Sequence, residues 1–337
     1  MRKVIVIVID SVRQDHIGCY GYPRDTTPNI DRMAATGAKL NGYIPEPMLP
    51  GTAPAAYSLL SGQKDEPLRL AECPQNIPLL QRFVKPALFC SNHGLFFSRS
   101  NWHVDWDYYN LRESRPLENM AGEYLVEWFL DAYPKISPAF SLLWFTDTHG
   151  VYQYDDTWKN FLDDDEPTVS GDVRFYDPPL LNEAGGRPNF RKHMAYYDAA
   201  IHRIDSVIAP IFDLADEDTL IIVCSDHGDF MGEFGHWFTH SYRRAEEEYS
   251  EGCEILRPVL MVMSIPLDSS SPIALADKVT LMDVTTTVAA WTGVPKQHWW
   301  VGRSLVSYRA DVEGKSSANV SDKILVDERL RALGYIE

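Results

Sequence analysis

Three apolar runs in this chain each stop on a carboxylate. "KVIVIVID" (3–10) ends at Asp10, "FSLLWFTD" (140–147) at Asp147 and "TLIIVCSD" (219–226) at Asp226. Runs apolar at every position, not at alternate ones, fit strands covered on both faces, as in a parallel sheet. "PALFCSN" (86–92) reads as a fourth such strand and "RPVLMVM" (257–263) as a fifth. Helical stretches separate them. "NIDRMAATG" (29–37) follows Pro28 and stops at a glycine, "AGEYLVEWFLDAY" (121–133) is amphipathic, and the stretch 193–212 places Tyr197, Ile201, Ile204 and Ile208 on one face. "LMDVTTTVAAWTG" (281–293) is a weaker helix because of its three threonines. Strand and helix in alternation predict a doubly wound α/β fold.

Ligands of such sheets gather at the carboxyl ends of strands. A carboxylate there is costly unless it is paired, hydrogen-bonded or bound to a cation. Two of the three strand ends also carry histidines, His149 after Asp147 and His227 beside Asp226. The segment "SDHGDFMGEFGHWFTH" (225–240) adds His236 and His240. Mixed carboxylate and imidazole donors suit Zn or Mn better than Ca or Mg, which prefer oxygen alone. Asn92 and His93, in "CSNHG", follow another strand and are candidates for the same pocket.

Charge narrows the partner. The 337 residues carry a net charge of -17, from 31 basic and 48 acidic side chains. Such a surface repels nucleic acid and anionic membranes, whereas a bound cation still admits a small anionic substrate. The first apolar run is short and ends at Asp10 with no small-residue cleavage site, so it reads as a strand and not as a signal peptide. No stretch approaches the roughly 18 apolar residues of a membrane span. Five scattered cysteines without a Cys-x-x-Cys pair read as reduced thiols of a cytoplasmic protein. Oligomeric state has no signature in the sequence. The acidic run 163–167 opens a polar excursion that extends to about residue 189.

"PGTAPAAYSLLSG" (50–62) places Thr52 at the mouth of a helix. One reading is an N-cap, in which the hydroxyl satisfies a first-turn amide. The other is a reactive hydroxyl beside the free amides that attract anions.

The blocks "VIVIVIDSVRQDHIGCYGYPRDTTPNID", "PGTAPAAYSLLSG", "FTDTHGVY", "TLIIVCSDHGDFMGEFG", "RPVLMVM", "DVTTTVAAWTGVP", "VGRSL" and "LRALGY" run in order along nearly the whole chain. Together they resemble the sulfatase-like branch of the alkaline phosphatase superfamily. The resemblance implies a three-layer α/β/α sandwich with a large, mostly parallel sheet. It also implies a catalytic region over 1–265 and a small C-terminal lobe over 266–337, packed on the same domain. By position, Asp10, Thr52, Asp226 and His227 match metal ligands and Thr52 the covalent nucleophile. His149 matches a histidine that contacts the substrate, and His240 or His236 the late basic residue. One divalent ion is implied; a second would draw on Asp147, His149 and His240.

The departures from the family pattern bear on the chemistry. Sulfatases carry a cysteine, matured to formylglycine, within Cys-x-Pro-x-Arg; here the cysteine position is Thr52 and the arginine position is Ala56. The second aspartate of the opening pair is Ser11, and the family lysine near "CSNHG" is replaced by Ser91 or Asn92. A formylglycine hydrate releases sulfate by collapse, which an unmodified threonine cannot do. Its ester must be cleaved at the central atom, which suits phosphorus. The expected activity is therefore metal-dependent cleavage of a phosphate ester, a phosphodiester above others, through a covalent threonine. Sulfate-ester hydrolysis, phospho-headgroup transfer and a non-catalytic protein of the same fold are the alternatives. Arg13 and Asp15 read either as supports for a ligand or as a surface pair. His16, His193 and His202 read as structural or solvated, and the tryptophans of "QHWWVGRSL" as packing.

Overall fold

β1 (Lys3–Ile9) is buried along nearly its whole length, because its two faces feed two separate cores. Val4, Val6 and Val8 point into one, while Ile5, Ile7 and Ile9 point into the other. A strand covered on both sides has no solvent face to mark with polar residues, which explains the uninterrupted apolar run. The computed structural model describes residues 1–64, 78–96, 102, 104–112, 121–149, 156–161, 190–231, 253–265 and 277–306.

The large sheet has seven strands in the order β2-β9-β7-β1-β6-β4-β5. They are β2 (Ala38–Lys39), β4 (Ala87–Ser91), β5 (Tyr108–Leu111), β6 (Phe140–Phe145), β7 (Thr219–Ser225) and β9 (Met261–Met263), with β1 among them. β1 pairs in parallel with β6 on one side and with β7 on the other, and β4 is parallel to both β6 and β5. On one face lie α1 (Pro28–Thr36), α3 (Ala121–Ile136) and α4 (Phe190–Phe212), packed over Ile5, Ile7 and Ile9. The other face carries α2 (Thr52–Ser61) and the last helix of the described chain, Leu281–Thr292, numbered α6 after the short α5 (Cys253–Leu256). The three-layer α/β/α architecture is thus as the sequence led us to expect.

One strand differs from its reading. The run 257–263 is not a fifth parallel strand but two short pieces in different sheets. β8 (Pro258–Val259) joins β3 (Asn41–Tyr43) and β10 (Lys278–Val279) in a small three-stranded sheet, while β9 lies antiparallel to β7. The break falls at Leu260, whose N–H donates to Ser225 Oγ and whose carbonyl accepts from Ser225 N–H. The weak helix around the threonines is fully formed. Thr280 and Asp283 build a capping box at its start. Thr286 and Thr287 donate to carbonyls four residues back, and Thr285 donates to Leu59 O of α2 at 2.7 Å. Burial among these acceptors outweighs the low intrinsic propensity of threonine. In the described part of 266–337, β10 pairs with β3, and α6 packs against α2 in the core that β1 shares.

α2 ends at Gly62, with φ 67°, and a Cβ placed there would lie 2.4 Å from Cδ1 of buried Trp300. Both the left-handed backbone and the indole exclude a side chain. Gly62→Ala is expected to destabilise the fold by roughly 2–4 kcal/mol, measured by urea unfolding. A loss below about 0.5 kcal/mol would mean that Trp300 moves aside freely.

No helix among the described residues is long and apolar enough to cross a membrane. The thiols of Cys19, Cys90 and Cys224 are free, and those of Cys73 and Cys253 lie outside the described side chains.

Candidate active site

Strand register brings the first and last acidic ends together. Ile9 stands level with Phe145 of β6 and Ser225 of β7, so the next residues of all three strands emerge at one edge. Asp10, Asp226 and His227 are fully buried there. His227 Nε2 lies 3.3 Å from Asp10 Oδ1 and 3.4 Å from Asp226 Oδ2. Thr52 Oγ1 is 3.4 Å from the same nitrogen.

These equal spacings are informative. Ligands held about 2.1 Å from one ion in a tetrahedron lie about 3.4 Å apart. Asp10, Asp226 and His227 each offer a donor atom, all within 4.8 Å of one another. Asp226 Oδ1 accepts from the amides of Ser11 (3.0 Å) and His227 (2.8 Å), whereas Oδ2 is buried without a hydrogen-bond partner. His227 Nδ1 lies 3.0 Å from the Gly228 carbonyl, so the neutral ring keeps its proton there and turns the Nε2 lone pair toward the cluster once the second proton has left. An orphaned carboxylate oxygen, a second carboxylate and an imidazole lone pair fit a divalent cation that accepts both oxygen and nitrogen.

Without a cation, charge is redistributed among the side chains. Burial and the neighbouring Asp10 push the Asp226 carboxyl up to about 7. Burial opposes a charge on His227, but the two carboxylates outweigh it and raise the imidazole to about 10. Burial likewise opposes charge on Asp10, yet hydrogen bonds from His227 and His93, with the field of His93 and His149, hold it well below the usual range.

Thr52 is the first residue of α2, not its N-cap. Gly51 occupies the cap, and no side chain caps the helix. The hydroxyl therefore faces the cluster, and because Pro54 lacks an N–H and Ala55 N–H already donates to Gly51 O, the first-turn amides of this helix mouth are those of Gly51, Thr52 and Ala53.

His93, read from the sequence only as a pocket candidate, enters the site. Its Nε2 is 3.0 Å from Asp10 Oδ2 and 3.5 Å from Thr52 Oγ1. Leu95 N–H donates to Nδ1 at 2.9 Å, which places the proton of the neutral ring on Nε2. His93 is therefore a hydrogen-bond donor toward Asp10 and Thr52, not a metal ligand. Its signal in the sequence was the strand before it, since β4 ends beside β6. Asn92 turns the other way. Its Nδ2 donates to Asp147 Oδ2 at 2.7 Å and its Oδ1 accepts from Thr146 N–H, which clasps the turn that carries His149. Asp147 thus lies with Asn92 and against Gly122, whereas the metal-competent group consists of Asp10, Asp226 and His227 among the described residues. His236 and His240 lie outside those residues.

Arg13 is buried, and grips Asp15 with two nitrogens and the Asp229 carbonyl with a third. His16 Nδ1 bonds buried Asp198 at 2.8 Å, a structural role, and His202 faces the Asp25 carbonyl. The His193 side chain lies outside the described residues. Trp299 and Trp300 pack on Phe83.

A buried carboxylate–imidazole cluster thus sits at the central strand tips of a three-layer α/β/α fold, with a helix-borne hydroxyl beside it. The sulfatase family matches residues 2–294, and the chain belongs to that family. Human arylsulfatase A is 33% identical over 73 residues, which are 21% of this chain and 13% of that protein. The choline-sulfatase of Rhizobium meliloti (strain 1021) is 31% identical over 133 residues, 37% of this chain and 24% of the relative. The matched stretches thus span less than a quarter of each relative's length. Among solved structures, the C-terminal periplasmic domain of EptC from Escherichia coli in complex with Zn has a TM-score of 0.66 at 17% identity, covering 92% of this chain and 87% of that one. The phosphonate monoester hydrolase of Silicibacter pomeroyi has a TM-score of 0.64 at 15% identity, covering 95% and 78%.

Proposed function

We propose that this protein is a metal-dependent phosphoester hydrolase, acting on a phosphodiester or similarly substituted phosphate through a covalent Thr52 intermediate. The observation that carries the reading is the placement of Thr52 Oγ1, 3.4 Å from His227 Nε2 and outside any capping role. Asp10, Asp226 and His227 hold the divalent ion, with Zn or Mn favoured by the mixed donor set. When bound, the ion lowers the pKa of an adjacent hydroxyl and offsets negative charge on the ester oxygens.

The protein's own groups supply the rest. Thr52 releases its hydroxyl proton to solvent and its Oγ attacks phosphorus; the Oγ–P bond forms and the bond to the leaving oxygen breaks. The free amides of Thr52 and Ala53 and the His93 Nε2–H face the oxygens on which charge gathers. His149 gives its proton to the leaving oxygen. Water then gives a proton to His149 and attacks phosphorus, the Oγ–P bond breaks, and Thr52 Oγ takes a proton back from solvent.

The curated relatives are named as sulfatases, which favours a sulfate ester as the second reading. A panel of nitrophenyl phosphate, phosphodiester, phosphonate and sulfate esters, offered to the metal-loaded protein, separates the two. Turnover of the sulfate alone overturns the phosphoester reading. Stoichiometric metal with no turnover of any ester points to phospho-headgroup transfer, which is read by adding an alcohol acceptor. Absence of both metal and turnover points to a non-catalytic protein.

The pH dependence of metal binding follows from the cluster. His227, raised to about 10, holds a proton throughout the neutral range and must release it to become a ligand. Asp226, at about 7, releases a second proton only below that pH. Zinc affinity is therefore expected to rise about tenfold per pH unit between pH 7 and 8, and more steeply below 7. Calorimetry in buffers of different ionisation enthalpy counts the released protons, and a flat profile contradicts the assignment.

A further inference from the structure

Tyr197, on α4, is fully buried beneath the tip of β1, and its hydroxyl is used twice. It donates to the Ser11 carbonyl at 2.7 Å and accepts from the Arg13 N–H at 2.8 Å. The ring packs edge-on against His16, with centroids 4.9 Å apart, and His16 is itself bound to Asp198, the next residue of α4. Between those two backbone contacts the chain is strained. Ser11 has φ 61°, a left-handed conformation that serine rarely adopts. In that conformation its N–H reaches Asp226 Oδ1 at 3.0 Å and its hydroxyl donates to Asp10 Oδ1 at 2.9 Å. One residue thus ties together two carboxylates that lie 216 positions apart in the chain.

We propose that Tyr197 is a positioning residue for the metal site: its hydroxyl holds Ser11 in the left-handed conformation, and Ser11 in turn sets the orientation of Asp10 and Asp226. This rests on the metal-site reading above. If the hydroxyl is removed, the Ser11 carbonyl and Arg13 N–H lose a buried partner, and Ser11 relaxes toward the common backbone basins. Asp226 Oδ1 then keeps one amide of its two, and its carboxylate is free to turn.

The test uses the full chain, Zn²⁺ alone and a chromogenic chelator as competitor. Tyr197→Phe keeps the ring and is expected to bind zinc 10–100-fold more weakly than wild type, the range for groups that orient metal ligands. Thr287→Val is the control, because it too removes a buried hydroxyl that donates once, to Asp283 O, and accepts once, from Leu305 N–H. Zinc affinity unchanged in Thr287→Val and lowered in Tyr197→Phe supports the proposal. Wild-type affinity in Tyr197→Phe overturns it while leaving the metal site standing. An equal loss in both variants overturns it as general destabilisation. Failure of the wild type to take up zinc overturns the metal-site reading itself, and this inference with it. Should Tyr197→Phe not fold, amide exchange in the zinc-free wild type decides. Ser11 N–H is expected to exchange as slowly as the β1 amides, and fast local exchange overturns the proposal.

Discussion

Thr52→Ala is expected to lower turnover of the best ester by at least ~10⁴-fold while zinc binding and fold remain near wild type. The hydroxyl caps no helix end, so its loss leaves α2 with a residue of higher helix propensity at the same place. Alanine keeps only the Cβ of this buried side chain, and the space it leaves lies at the helix mouth. With one methyl, what disappears is the hydroxyl that lies 3.4 Å from His227 Nε2 and 3.5 Å from His93 Nε2. Thr52→Ser restores an oxygen there and is expected to recover most of the rate. Acid quenching during turnover traps a phosphorylated Thr52 in wild type, detected by peptide mass spectrometry, and none in Thr52→Ala. Full activity in Thr52→Ala would rule out the covalent route and leave direct attack by water.

Asp226→Asn tests the other half of the site. Its carbonyl oxygen can still accept from the Ser11 and His227 amides, as Asp226 Oδ1 does, so the turn after β7 keeps its two internal bonds. The second oxygen, buried and without a hydrogen-bond partner, becomes an NH₂ group that repels a cation. Zinc affinity is expected to fall by at least ~100-fold and activity with it, because a ligand and a full negative charge are lost together. Chelator competition measures the first, and circular dichroism checks that the fold survives. Zinc binding at wild-type strength would remove Asp226 from the ligand set and leave its unpartnered oxygen unexplained.

The parts of the fold legible in the sequence were those governed by local pattern. β1, β4, β6 and β7 announce themselves because strands covered on both faces need unbroken apolar runs. α1 is marked by Pro28 and Gly37. The short strands β2, β3, β5 and β10, of two to four residues, carry no such signal, since their pairing is set by neighbours distant in the chain. The split of 257–263 has the same origin. Whether Val259 and Met261 join one sheet or two depends on β3 and β7, not on the run itself.

The candidate site divides in a similar way. Asp10, Asp226 and His227 were readable as donors because a carboxylate directly after a buried strand demands compensation. Asp147 looked the same by that rule, yet the tertiary structure gives it to Asn92 and the turn before His149. His93 was ambiguous in sequence, and its role as a donor follows from one backbone amide, that of Leu95. The sequence by itself determined which side chains stand at the strand ends and that a hydroxyl waits at the mouth of α2, because those depend on order along the chain. Only the tertiary structure decided which of them converge, since that depends on the order of strands β7, β1, β6 and β4 across the sheet. The backbone conformation at Ser11 and the hydroxyl of Tyr197 are likewise invisible in the chain, because both are contacts between segments more than 180 residues apart.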